Sequence, residues 1–129
     1  MALKISYDKQ LHLLTCKVSA YLSIDDYENA LQEILTSKEY PCDVSTLWDL
    51  RDMEFDNIDL RFQEKLVEIR QKYISKRAAA KIAIVYENRL AEPLVKMYAI
   101  LSKDLSQNTR SFTSMGEAMY WLVYGNDTE

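Results

Sequence analysis

Two short polar clusters carry the chemistry that this sequence can offer. Asp49, Arg51 and Asp52 close one apolar run, with Asp56 and Asn57 just beyond, and Glu87, Asn88 and Arg89 close another. A guanidinium presents a fixed fork of donors, so Arg51 and Arg89 together would clamp a small anionic group. A plainer reading competes, because acids near helix starts favour the helix dipole and an Arg–Asp pair can simply tie loops together. Asp49, Asp52, Glu54, Asp56 and Asp59 also hold enough carboxylate for magnesium, which takes one or two such ligands. Nothing in their spacing fixes a geometry, and solvated acids are the simpler account. No metal and no cofactor are expected.

No catalytic team stands out. His12 is the sole histidine; it lies in a strand-and-turn region, alternating to the face opposite Leu11 and Leu13. A Ser–His or Cys–His pair needs a placed base, and His12 is far from both clusters. Cys16 sits in an apolar alternation and reads as a core residue, whereas Cys42, next to Pro41, reads as more exposed. The two cysteines lack zinc-ligand spacing. Paired acids could serve a hydrolase, yet no spacing selects a pair. Arg70, Lys72, Lys76, Arg77 and Lys81 form a basic stretch that could face an acidic protein or lipid head groups. A basic last helical turn followed by a solvated connection explains it more simply. Nine tyrosines and two tryptophans exceed what a core this size needs. Tyr21, Tyr27, Tyr40, Tyr73, Tyr98, Tyr120 and Tyr124 could in part line an apolar pocket or a self-association surface.

These residues need elements to position them. Leu3, Ile5 and Tyr7 alternate with polar residues, as do Leu14, Cys16, Val18 and Ala20, which predicts an N-terminal β-hairpin. Ser23 with Asp26 resembles a capping box, and Ile24, Tyr27, Leu31, Ile34 and Leu35 share one helical face. Val44 to Leu50 predicts a strand. Asn57 is placed to cap a second helix, striped by Ile58, Phe62, Leu66, Ile69 and Tyr73. Lys81 to Tyr86 is a continuous apolar strand of the kind covered on both faces. Asn88 opens a third helical segment with Pro93 in its first turn. Thr109 to Phe112 predicts the last strand, and Ser114 with Glu117 caps a final helix. The order is ββαβαβαβα, which implies mostly parallel pairing with right-handed crossovers. In such a sheet ligands gather at the carboxyl ends of strands, where both polar clusters fall.

Composition narrows the function classes. The chain has 129 residues, 48% hydrophobic and 28% charged, the balance of one water-soluble domain. Only two glycines argue against a glycine-rich phosphate cradle. A net charge of −4 disfavours nucleic acid. No apolar run approaches the ~20 residues of a membrane span. The N-terminus lacks a signal-peptide layout, so a cytoplasmic address is expected. The domain is expected over 1–125, with Gly125 fraying into an acidic tail at 126–129.

The element order and particular joints resemble the STAS-like superfamily and, within it, the SpoIIAA-like family. The carrying segments are Leu47-Trp48-Asp49-Leu50-Arg51, Lys81-Ile82-Ala83-Ile84-Val85 and Glu117-Ala118-Met119-Tyr120-Trp121-Leu122. The resemblance implies a four- to five-stranded mixed sheet with about four helices, and roles in protein–protein signalling or small-ligand binding instead of catalysis. Anti-anti-sigma members of that superfamily carry an Asp–Ser pair at the start of the helix after the third strand, and phosphorylation of that serine releases a partner. Here the stretch is Phe55-Asp56-Asn57-Ile58-Asp59, and Asn57 cannot accept a phosphate.

The sequence therefore predicts a single α/β domain that is not an enzyme. It is read as a binding module for a protein partner or a second copy of itself, without the phosphorylatable serine. The alternative is a carrier of a small apolar or anionic ligand. The residues assigned to binding are Asp49, Arg51, Asp52, Asp56, Asn57, Glu87, Asn88 and Arg89.

Overall fold

The computed structural model describes residues 3–41, 43–73, 81–103 and 108–125. Cys42, Lys76, Arg77 and the acidic tail, each singled out above, lie outside the described residues. Strands β1 (Leu3–Asp8) and β2 (Leu13–Ala20) form the expected antiparallel hairpin. Its turn has no Asn-Gly pair. His12 takes the left-handed position instead, with φ of 55°, and the Asp8 carboxylate accepts from the Leu11 N–H at 3.1 Å. Helix α1 (Ile24–Thr36) starts at the predicted cap, where the Ser23 hydroxyl accepts from the Asp26 N–H at 3.0 Å.

Strand β3 (Ser45–Met53) runs three residues further than the sequence implies. The cause is β2, which keeps pairing past an irregularity between Lys17 and Ser19, so that Ser19 meets Asp52 and Ala20 meets Met53. Asp49, Arg51 and Asp52 thus belong to the strand and not to the loop after it. Helix α2 (Leu60–Tyr73) also departs from expectation at its start. Asp59, not Asn57, is the cap, its carboxylate accepting from the Phe62 N–H at 2.8 Å. Asn57 instead donates to the Leu22 carbonyl at 3.0 Å, fastening the loop to the end of the hairpin.

Strand β4 (Lys81–Val85) is followed by a 3-10 turn at Arg89–Ala91, helix α3 (Glu92–Leu101), strand β5 (Asn108–Phe112) and helix α4 (Met115–Tyr124). The sheet order is β1-β2-β3-β4-β5, with every pair after the hairpin parallel. Crossovers of one hand along a sequential order place α1, α2 and α3 on one face. The core agrees. Leu14, Cys16, Val18, Trp48 and Ile82 pack against the three helices, while Leu47, Ala83 and Val85 pack against Ala118, Trp121 and Leu122 of α4. One helix cannot cover five strands, so Lys4, Ser6, Lys17 and Ser19 of the hairpin stay exposed on the α4 side. Gly125, expected to fray, is held: its N–H donates to the Trp121 carbonyl at 2.9 Å and its carbonyl accepts from Lys81. Among the described residues, no helix is long and apolar enough to cross a membrane.

Candidate functional site

Packing three helices on one twisted face leaves a gap beneath the middle one. A cavity of about 100 Å³ lies between α2 and the sheet, reaching α1 and α3 at its sides. Its walls are mainly apolar, with Trp48 and Leu50 from β3, Leu31 from α1 and Leu66 from α2. Gln63, Arg70 and three tyrosines are the polar side chains along it.

Gln63 is 1% exposed and lines this cavity, and neither its Nε2 nor its Oε1 has a hydrogen-bond partner. Its place on α2 accounts for the burial. With Asp59 as cap and Ile58 before it, Gln63 occupies the fourth helical position, where a hydrophobic staple to the residue preceding the cap is normal. An amide stands where the local pattern calls for an apolar side chain. Both of its polar atoms are buried in the protein interior.

Arg70, two turns further along the same face, is 4% exposed. It donates to the Tyr98 hydroxyl at 3.2 Å and to Thr109 Oγ1 at 2.6 Å. The expectation of a solvated basic turn is therefore corrected for Arg70. Tyr98 on α3 and Thr109 on β5 give its guanidinium polar neighbours inside the fold, so the charge need not reach water. Tyr27 shares a hydrogen bond with Tyr98, and burial, followed by Tyr98, pushes its phenol well above the ordinary value of 10.0. The Tyr27 phenol therefore stays a neutral donor and acceptor at the cavity edge. Tyr73 closes the α1 side. Its hydroxyl accepts from Gln32 Nε2 at 2.9 Å and donates to Glu28 Oε2 at 2.9 Å, and Lys72 reaches the same carboxylate at 3.2 Å. The Tyr73 hydrogen bond, then Lys72, holds the Glu28 carboxyl below its usual value. A second, more polar recess of about 230 Å³ shares Ile84, Val95 and Tyr98 with the cavity as a common wall.

The residues assigned from sequence lie elsewhere. Pairing of β3 with β4 brings the two polar clusters to neighbouring strand ends, Asp49 facing Val85. Most of these side chains are engaged in local structure. Asp49 is 3% exposed and accepts from Arg51 Nε at 2.9 Å and from Arg51 Nη2 at 3.0 Å. Those Arg51 bonds, with smaller help from the backbone and Lys17, hold the Asp49 carboxyl below its ordinary 3.8. The same pairing raises Arg51, with Glu87 adding to the effect. Asp52 pairs with Lys17 at 3.3 Å. The Asn88 side chain accepts from the Leu90 N–H at 2.9 Å, opening the 3-10 turn ahead of α3. Asp56 and Arg89 are exposed on the rim. Three of the seven tyrosines considered above, Tyr27, Tyr73 and Tyr98, line the cavity, whereas Tyr21, Tyr120 and Tyr124 face outward. Tyr40 packs edge-on against Tyr7 at 5.3 Å. His12 Nε2 sits 3.1 Å from Asp43 at the hairpin tip. Among the described residues no group of three His, Cys, Asp or Glu side chains could hold a metal ion.

No known family model and no curated protein matches the chain. Among solved structures, it is similar to an uncharacterized protein of the DUF3478 family from Shewanella loihica PV-4, described as having a SpoIIAA-like fold. The two share 19% identity over 94% of this chain and 92% of that one, with a TM-score of 0.62. At that identity the likeness carries architecture alone. The five-stranded mixed sheet, three helices on one face and a fourth on the other together make this chain a single α/β domain with a SpoIIAA-like fold.

Proposed function

We propose that this chain is a non-enzymatic, cytoplasmic binding module whose site is the cavity under α2, and that it takes a small, largely apolar ligand. The cavity of about 100 Å³ carries this reading. It is half open and mainly apolar, with a few polar side chains on its walls, which is the usual make-up of a small-molecule site. An apolar cavity of about 150 Å³ accepts benzene, so by volume this one encloses roughly four heavy atoms, and a benzene ring fits only with part of it at the open side. No catalytic step is assigned, since His12 is at the hairpin tip while Cys16 is buried in the core.

The test is a titration of the protein with benzene, followed by backbone amide NMR. Shifts confined to residues around the cavity are expected, and they should vanish in Leu66→Phe, which fills the space from α2. An unperturbed spectrum at saturating benzene overturns the reading. A second reading, contact with a protein partner, draws on the exposed apolar Leu90 in the 3-10 turn and Met97 and Ile100 on α3. It predicts that charged substitutions there abolish partner capture from native extract and leave benzene binding intact.

A further inference from the structure

We infer that the free edge of β5, with the flank of α3 beside it, is a second binding site, and that it takes an extended, acidic peptide segment of a partner protein as a sixth strand. Among the described residues β5 ends the sheet order and pairs with β4 alone. The Tyr86 N–H donates to the Phe112 carbonyl at 3.1 Å, which fixes where each backbone group of the strand points. In a parallel ladder the N–H and C=O of one residue point to the same side, and successive residues alternate. Asn108, Arg110 and Phe112 therefore bond to β4, whereas the backbone groups of Thr109 and Ser111 point away from the sheet. Among the described residues, no backbone group pairs with either of these two. Ser111 is exposed.

A bare edge is a template for any strand, so its surroundings decide what fits. This edge borders the polar recess of about 230 Å³, whose other wall is α3 with Ala99, Ser102 and Lys103. An added strand sends alternate side chains to opposite faces. On the α3 face they meet the exposed Lys103. On the α4 face they meet Arg110, whose guanidinium lies over the Trp121 ring at 5.3 Å. Among the described residues lining the recess, these two carry charge and none is acidic. A peptide rich in Asp or Glu therefore finds a cation on whichever face its acids take. A second copy of this chain fits worse. Pairing β5 with itself about a two-fold axis sets Thr109 opposite Ser111 and Arg110 opposite its own copy, and like charges directly opposite each other are destabilising. The site is separate from the cavity under α2, with Ile84, Val95 and Tyr98 as the wall between them.

The probe is the capped hexapeptide acetyl-(Glu-Val)3-amide, with acetyl-(Lys-Val)3-amide as its cationic counterpart, added to the full chain. Amide hydrogen exchange is followed residue by residue by NMR. In the free protein Thr109 and Ser111 should exchange fast beside Arg110 and Phe112, which β4 protects. With the acidic peptide at about ten times its dissociation constant, exchange at Thr109 and Ser111 should slow about tenfold. Ser111→Pro removes one outward N–H and leaves the bonds to β4, a position where edge strands tolerate proline. Affinity should then fall about fivefold, as the loss of one neutral hydrogen bond implies. Lys103→Glu, on the surface, should weaken the acidic peptide and favour the cationic one. Unchanged exchange at Thr109 and Ser111 up to the solubility limit of the acidic peptide overturns the proposal, and so does equal binding of the two peptides. Protection of these amides that rises with protein concentration alone also overturns it, by marking β5 as an interface between copies. None of these outcomes bears on benzene binding in the cavity.

Discussion

Replacing Gln63 with leucine is expected to stabilise the protein, an unusual outcome for a substitution at a fully buried position. Most changes in a core lose contacts and destabilise. Here the two side chains have nearly the same volume, so the cavity walls keep their neighbours. What changes is the orphaned amide. Burying a polar group without its hydrogen bonds costs about 1–3 kcal/mol, and the leucine removes that cost while adding apolar burial. A gain of about 2 kcal/mol is the central expectation. For 129 residues the unfolding entropy is about 270 cal/mol/K, so the midpoint should rise by about 7 °C. Urea denaturation and calorimetry measure both quantities, and the urea slope should not change because the surface exposed on unfolding is the same. Protein refolded from denaturant must be used, since retained ligand would stabilise the parent selectively. A fall of more than about 1 kcal/mol in Gln63→Leu would mean that the amide is already satisfied in the folded chain. Leu66→Ala serves as the contrast: it enlarges the same space and should lose about 2–5 kcal/mol.

Asp49→Asn keeps the shape and removes the charge of the carboxylate that Arg51 grips, and should lose about 2 kcal/mol at neutral pH, discounted for the part-exposed guanidinium. Because the folded Asp49 pKa lies below its ordinary 3.8, that contribution is present above about pH 4 and fades as pH falls through the folded value. Urea midpoints of parent and variant should converge in acid, and a constant gap would refute the pairing. Asp59→Ala should lose about 1 kcal/mol through the α2 cap and reduce helicity by circular dichroism. Asn57→Ala should leave helicity unchanged while exposing the Leu22 end of the hairpin to faster amide exchange; the reverse pattern would return the cap to Asn57.

Much of this architecture is legible in the chain because its determinants are local. Leu14, Cys16 and Val18 alternate, and all three face the same helical layer. Ser23 and Ser114 cap the helices they precede, the latter accepting from the Glu117 N–H at 3.3 Å. The start of α2 is less legible, since Asn57 and Asp59 are both good caps two residues apart and only tertiary structure chooses between them. The Leu22 carbonyl engages Asn57 and leaves the cap to Asp59. The cavity is less legible still. Arg70 reads as part of a solvated basic turn, and nothing in the spacing singles out Gln63, because a polar side chain advertises water unless its surroundings are known. The one local clue was an amide at the staple position, visible only once Asp59 is known to be the cap. Asp49 and Arg51 show the opposite error, where charges clustered at strand ends suggest a ligand although they mostly engage each other.

A half-open cavity beneath a helix persists only if something keeps the helix from settling onto the sheet, because cores relax into such space as far as its walls allow. In this fold the restraint is polar and sits at both ends of α2. Asn57 fixes the approach to its N-terminus, and at its C-terminal end Tyr73 and Lys72 bond to α1 while Arg70 bonds to α3 and β5. The helix spans the gap like a beam on two supports, with Leu66 between them. Tyr73→Phe tests the idea at one support, since it keeps the ring and removes both the Gln32 and Glu28 bonds. The partly exposed setting keeps the loss of stability small. The cavity should respond more than the stability does, with weaker benzene binding and faster amide exchange in the last turn of α2. The Glu28 carboxyl should titrate closer to its usual value, having lost its largest stabilising contact. Unaltered benzene affinity in a variant whose Glu28 has shifted would show that apolar packing alone holds the cavity open.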